Sequence, residues 1–369
     1  MNYLISFFIL ITIVVFIHEY GHYYFARRFG VAVTDFSIGF GKEIFGFNDK
    51  SGTRWKFCLI PLGGYVKFFG DRNVFSQAEQ EELLRKYDKN DQKKLFVTKP
   101  LYQRALIVAG GPLANFLLAI LIFSCIYMFV GKDFTPAKID EVSIDSPAEK
   151  AGLKKNDIII GINNNKIESI LEISTFINTN TKDKINIKVL RNDRELVFVT
   201  EPNIINSKDA FGNPIKKRVI GIKIAPASEK FNRERLGPTR ALYYSLKEIW
   251  FVTKTTIHFI GSLFQGKGDT SQLGGPIKIA KISGQVIEFG LVAFLSTIAY
   301  ISISLGLINL FPIPLLDGGH LMFYFFEKIL GRPLKQSTQE GFFRIGLVLL
   351  LSLMIFTTFN DLKDWGLFQ

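Results

Sequence analysis

Four apolar runs dominate the chain, at residues 3–26, 105–130, 289–311 and 342–360. Each is close to the ~20 residues a helix needs to cross a bilayer. None holds Lys or Arg apart from Arg344, near the start of the fourth. The pattern predicts a multi-pass α-helical membrane protein with about four transmembrane helices. The stretches between the runs differ in kind. "TRWKFCLIPLGGYVKFFG" mixes aromatic and β-branched residues around Gly63-Gly64. It predicts a β-hairpin turning at that pair, too apolar for a free cytoplasmic loop. Residues 71–99 are charged and polar and predict a solvated helical loop. Residues 132–226 turn to Asn, Asp, Lys and Ile, with strand-like runs such as "DIIIGIN", "KINIKVL" and "RVIGIKI". Between two such runs, "SPAEKAGL" predicts a short helix entered by Ser146-Pro147 and closed by Gly152. These features describe an inserted soluble α+β domain. Residues 238–265 predict an amphipathic helix, either on the membrane surface or packed on the soluble domain. The chain therefore divides into residues 1–131, 132–226, 227–288 and 289–369.

Charge refines this picture without changing its class. The net charge is +12 over 369 residues. On a chain with four apolar runs, basic residues flank spans and anchor them on the cytoplasmic side, so no nucleic-acid partner is implied. Residues 27–104 hold 15 Lys+Arg against 9 Asp+Glu, and Arg27-Arg28 follow the first run at once. The first span then runs inward, and the inserted domain and both termini lie outside. The first run lacks a basic leading region and a small-residue cleavage site, and reads as a span. Cys58 and Cys125 fall in different places by this topology and predict no disulfide.

Candidate chemistry is concentrated in the first span. His18 and His22 are two of the four histidines in the chain. Four residues apart on a helix, they share one face. Neutral imidazole ligates zinc well, and Glu19 stands beside the pair in an H-E-x-x-H arrangement, placed to act as a base. Ionisable side chains inside a span cost roughly 2.5–3.5 kcal/mol each on insertion scales unless paired or metal-bound. A catalytic zinc needs a third protein ligand. Asp317 supplies a carboxylate, on a segment that Pro312 and Pro314 predict to be non-helical. His320 is a competing ligand, and the glycines beside it suggest a turn in which it serves a structural role.

"HEYGH", "GFGK", "IPLGGYVKF", "GGPLANF", "GGPIKIA" and "SLGLINLFPIPLLDGGHL" occur in this order along almost the whole chain. In that order the chain resembles the site-2 protease family of intramembrane zinc metalloproteases, and most nearly its bacterial regulator-of-sigma-E protease branch. The resemblance implies His18, His22 and Asp317 as zinc ligands, Glu19 as catalytic base, and Asn309 as a group holding substrate or the developing oxyanion. It implies that "IPLGGYVKF", with Gly63, Gly64, Tyr65 and Val66, is a membrane re-entrant β-hairpin whose edge pairs with unwound substrate. Residues 132–226 then resemble an extracytoplasmic PDZ domain, one where the nearest branch has two. The implied partners are the lipid bilayer and single-span membrane proteins already shortened by another protease. Anti-sigma factors and signal-peptide remnants are the two substrate classes, at a bacterial inner membrane. A membrane-anchored PDZ adaptor with a non-catalytic metal site is the alternative. A transporter would show paired interrupted helices in two halves, which the sequence lacks.

Overall fold

The computed structural model describes the chain except residues 1, 71–79, 180–182, 209–213, 229–231, 267, 271–272 and 365–369. In chain order, α1 (Asn2–Arg28) is followed by β1 (Val33–Asn48), β2 (Arg54–Phe68), α2 (Gln80–Lys86), α3 (Lys89–Gln92) and α4 (Leu101–Phe129). Next come β3 (Lys132–Asp133), β4 (Ala137–Val142), α5 (Pro147–Lys150), β5 (Ile158–Ile162), β6 (Asn165–Lys166), α6 (Ile170–Thr179), β7 (Ile185–Arg191) and β8 (Arg194–Thr200). They lead to β9 (Asn203–Lys208), β10 (Pro214–Val219), β11 (Ile222–Pro226), β12 (Arg233–Glu234) and α7 (Pro238–Phe264). The chain closes with α8 (Pro276–Val286), α9 (Leu291–Asn309), α10 (Asp317–Leu330) and α11 (Gln336–Asp364). Among the described residues, four helices are long and apolar enough to cross a membrane: Tyr3–Arg28, Leu101–Phe129, Leu291–Asn309 and Ser337–Lys363. Two compact units form, one from residues 1–122 and 274–362, the other from 123–273 and 363–369.

In the first unit, α1 and α4 touch through glycines. A β-carbon at Gly21 would stand 2.1 Å from the Gly110 carbonyl oxygen. Without a hydrophobic drive between helices in lipid, such close backbone approach is what packing there exploits. The N-terminus of α8 is capped from α11: Asp361 accepts from the Gly275 amide at 2.9 Å and the Lys278 amide at 3.0 Å. Gly284 of α8 in turn sits on the Tyr3 ring. Leu83 and Leu95 are buried together and Phe96 stacks on Phe68, so the described part of 71–99 is a packed element, not only a solvated loop.

The sheet of this unit corrects the sequence reading of Gly63-Gly64. Both arms of β2 pair with β1. Phe36, Ser37 and Ile38 stand opposite Val66, Tyr65 and Gly64, and also opposite Trp55, Lys56 and Phe57. The tight reversal is at Asp49–Thr53. There Asp49 Oδ1 accepts from the Ser51 and Thr53 amides at 2.8 and 2.9 Å, and Gly52 has φ +84°. Gly63 and Gly64 lie within β2, and neither has a positive φ, which tight hairpin turns require of one or both central residues. They are small for another reason. A β-carbon at Gly63 would meet the Phe40 ring at 2.4 Å, and one at Gly64 the Ser37 carbonyl oxygen at 2.7 Å.

The second unit is built on a sheet of order β11-β4-β5-β7-β8, with β6 on β5. Ile139, Ile159, Ile162, Ile173, Ile185, Ile187 and Val189 form its core. Arg191 makes two 2.6 Å bonds to Asp157, whose side chain is 1% exposed. The predicted short helix is α5, with Ser146 Oγ accepting from the Glu149 amide and Gly152 at φ +89°. The domain extends past residue 226, because β12 pairs with β3 at its entrance. Lys132 of β3 lies over the rings of Tyr127, Phe134 and Tyr244. Helix α7 packs on this domain: Phe251 contacts Phe176, Lys247 reaches Glu168 at 2.7 Å, and Ser245 Oγ lies 3.0 Å from Ser124 Oγ of α4. Tyr243, Leu246, Trp250, Ile257 and Phe264 of the same helix remain exposed. Cys58 and Cys125 are both free.

Candidate metal centre

His18 and His22 share one face of α1, with ring centroids 4.9 Å apart and Nε2 atoms 3.3 Å apart. The polypeptide brings a carboxylate to them from nearly 300 residues away. Helix α9 ends at Asn309, and Pro312 and Pro314 occupy the break before α10. Leu315 has φ +81°, a left-handed conformation that costs a non-glycine residue roughly 1–3 kcal/mol and clusters at functional sites. Asp317 then opens α10, so the carboxylate is the first residue of a helix and not part of the non-helical segment. Gly318 and Gly319 are helical too, in place of the expected turn. They are small because the Leu310, Phe311 and Ile313 carbonyls press on the start of α10, at 2.2–2.5 Å from where their β-carbons would be.

The result is compact. Asp317 Oδ2 lies 3.2 Å from His18 Nε2, and Oδ1 lies 3.5 Å from His22 Nε2. Among the described residues, these three offer ligand atoms within 4.8 Å of one another. Their arrangement fits a cation. Asp317 Oδ2 is buried and accepts no hydrogen bond, while one ring nitrogen faces it and a second faces Oδ1 of the same carboxylate. His22 Nδ1 donates to the Ile107 carbonyl at 2.9 Å, which leaves its Nε2 as a lone pair facing the cluster. Gly111 completes the cradle: a β-carbon there would stand 2.3 Å from His22 Nε2 and 2.8 Å from His18 Cε1.

The other residues singled out from sequence fall around this cluster. Glu19 is on the next position of α1, with its Cγ against Gly64 of β2. Asn309 puts Nδ2 3.2 Å from His18 Nε2, at the cluster itself. Tyr65 stacks on Phe40, and Val66 packs into the core that holds Ala26 and Ile107. His320 is not one of the three clustered ligand groups and lies against the Phe323 and Phe343 rings. Two neighbours went unassigned in the sequence reading. Gly111 and Asn115 both belong to "GGPLANF", and Asn115 places its amide 3.2 Å from His18 Nδ1. An uncharged but polar side chain in the middle of an apolar span was the available signal.

Comparison with known proteins shows the family of the chain. Residues 6–353 match peptidase family M50. A protein of Agrobacterium fabrum named "Putative zinc metalloprotease Atu1380" is 39% identical, over 98% of this chain and 96% of its own. "Metalloprotease MmpA" of Caulobacter vibrioides is 35% identical, over 99% of this chain and 96% of its own. The class is that of zinc metalloproteases with apolar, membrane-crossing helices. The chain belongs to peptidase family M50, the site-2 proteases.

Proposed function

We propose that this zinc metalloprotease is an intramembrane endopeptidase, hydrolysing peptide bonds within or near the transmembrane segments of single-span membrane proteins. The observation that carries the reading is where the catalytic groups stand. His18, Glu19 and His22 lie on a helix long and apolar enough to cross a bilayer, and a β-strand runs against Glu19 at Gly64.

In this reading His18, His22 and Asp317 hold the metal. Zinc bound there supplies Lewis acidity, polarising a carbonyl and making water acidic near neutral pH. Glu19 takes a proton from the attacking water and returns it to the leaving amine. The Asn309 amide donates to the oxyanion that develops on the scissile carbonyl, a role typically worth roughly 2.7–4 kcal/mol. A transmembrane helix resists cleavage because its carbonyls are already hydrogen-bonded, so it must unwind. The segment Gly64–Lys67 has β1 on one side, and no other strand joins this sheet among the described residues. Its second side suits an unwound substrate strand by β-augmentation, with Gly63, Gly64, Tyr65 and Val66 as the docking segment.

The α+β domain is PDZ-like and extracytoplasmic in this reading, as are both termini, with the chain in a bacterial inner membrane. Its substrates are membrane proteins already shortened by another protease, anti-sigma factors or signal-peptide remnants. The test reconstitutes the purified protein in liposomes with a single-span model substrate and maps the cut by mass spectrometry. The cut is expected inside or beside the apolar segment, and Glu19→Gln should abolish it. Cleavage confined to water-exposed peptide, or unchanged in Glu19→Gln, would refute the proposal.

A further inference from the structure

We infer that Asn115 selects the tautomer and fixes the orientation of His18, its side-chain carbonyl accepting a hydrogen bond from His18 Nδ1–H. The inference rests on His18 being a metal ligand. Asn115 is thereby a positioning residue, acting through the histidine.

The argument begins with the nitrogen that faces the cluster. His18 Nε2 lies 3.2 Å from Asp317 Oδ2 and 3.3 Å from His22 Nε2. A ligating nitrogen must offer its lone pair, so the one proton of the neutral ring belongs on Nδ1. Among the described residues, the hydrogen-bonding neighbour of Nδ1 is the Asn115 amide, at 3.2 Å, and Asn115 is fully buried. The two ends of an amide have the same shape and are told apart by their partners. With NH2 toward the ring, Nδ1 must accept, the ring proton moves to Nε2, and the metal face is blocked. With the carbonyl toward the ring, Nδ1–H donates and Nε2 is free. The Oδ1 atom, placed away from the ring, is buried without a partner, and turning the amide gives it the Nδ1–H as a donor.

The neighbouring ligand follows the same rule with a different acceptor. His22 Nδ1 meets the Ile107 carbonyl, which can only accept. Both histidines of α1 are thus oriented by α4, one by its backbone and one by a side chain. Asn115 is itself held: its backbone carbonyl accepts from Ser302 Oγ at 2.9 Å, and Gly306 leaves room for its β-carbon at 3.3 Å.

The test measures zinc affinity of the full-length protein in detergent by competition with a chromophoric chelator, a readout independent of proteolysis. Asn115→Leu keeps the size and removes the acceptor, and should weaken zinc binding about 10–100-fold. Asn115→Asp keeps an acceptor and loses every donor, and should bind zinc as tightly as the native protein or more so. Ser302→Ala, which loosens the same packing without touching the ring, should also retain zinc. Asn115→Asp is decisive even if Asn115→Leu fails to fold: weakened binding in it means the amide works as a donor, and overturns the inference. Native affinity in folded Asn115→Leu overturns it as well. Full zinc in His18→Ala would instead overturn the ligand assignment beneath it, so the two failures are distinguishable.

Discussion

Gly64 lies directly against Glu19: a β-carbon at position 64 would stand 2.9 Å from the Glu19 Cγ, 3.0 Å from Val15 Cγ1 and 2.7 Å from the Ser37 carbonyl oxygen. Two of these three neighbours belong to α1 and the third is backbone, so none can yield freely. Gly63 is different, because its nearest neighbour is the edge of the half-exposed Phe40 ring. Gly64→Ala should therefore cost proteolytic activity at least tenfold (an order-of-magnitude expectation for a misplaced catalytic group) while zinc stays bound. Gly63→Ala should cost clearly less. Rates of both variants on one model substrate, with zinc content measured alongside, check the ordering; equal losses would remove the special place of position 64.

The cluster geometry makes a separate statement about metal. Asp317 is one of three clustered groups able to hold a metal ion, whereas His320 packs against phenylalanines. Asp317→Ala should lose zinc together with activity, and His320→Ala should keep its zinc. Metal analysis of the purified variants decides this. Zinc retained in Asp317→Ala and lost from His320→Ala would move the third ligand to His320.

The tip of the β1–β2 hairpin is acid-sensitive by construction. Burial pushes the Asp49 carboxyl upward, but donors outweigh it: Trp55 Nε1 at 3.0 Å, the Thr53 amide, the Tyr23 hydroxyl at 3.0 Å and the Ser51 amide bring it down to about 2. A carboxylate lowered on folding stabilises the tip above its ordinary value near 4, and that stabilisation fades as pH falls toward 2. Trp55 fluorescence should change over this window, and in Asp49→Asn the change should vanish. An identical acid transition in both proteins would locate the sensitivity elsewhere.

The α+β domain can be removed cleanly only if its entrance and exit go together, since β3 and β12 pair. Replacing residues 132–234 with a short linker should leave zinc bound, because His18, His22 and Asp317 all lie in the other unit. If the domain filters substrates by size, the deletion should newly cut a membrane protein whose extracytoplasmic domain is intact. If it recruits substrate, the deletion should lose cleavage even of a shortened one. Expression of the deletion beside both substrates, scored by immunoblot, separates the two, and the filter is the outcome expected.

The membrane-crossing helices and the amphipathic helix at 238–264 were legible in the sequence because their signals are local. A run of apolar residues reports lipid wherever it falls, and a four-residue spacing puts His18 and His22 on one face of any helix that contains them. The Pro312-x-Pro314 break was legible for the same reason, though not that Asp317 would begin a helix immediately after it. What only the tertiary structure decided was every relation between residues far apart in the chain. That β1 would pair with both arms of β2 depends on packing that neither strand encodes alone. Gly63 and Gly64 read as a turn because a glycine needed for positive φ and one needed for close approach are the same letter. Asn115 was visible as a polar side chain in an apolar span, but its role was not legible, because that depends on what it faces. What it faces, His18, is brought to it by Gly21 and Gly110 letting two helices touch.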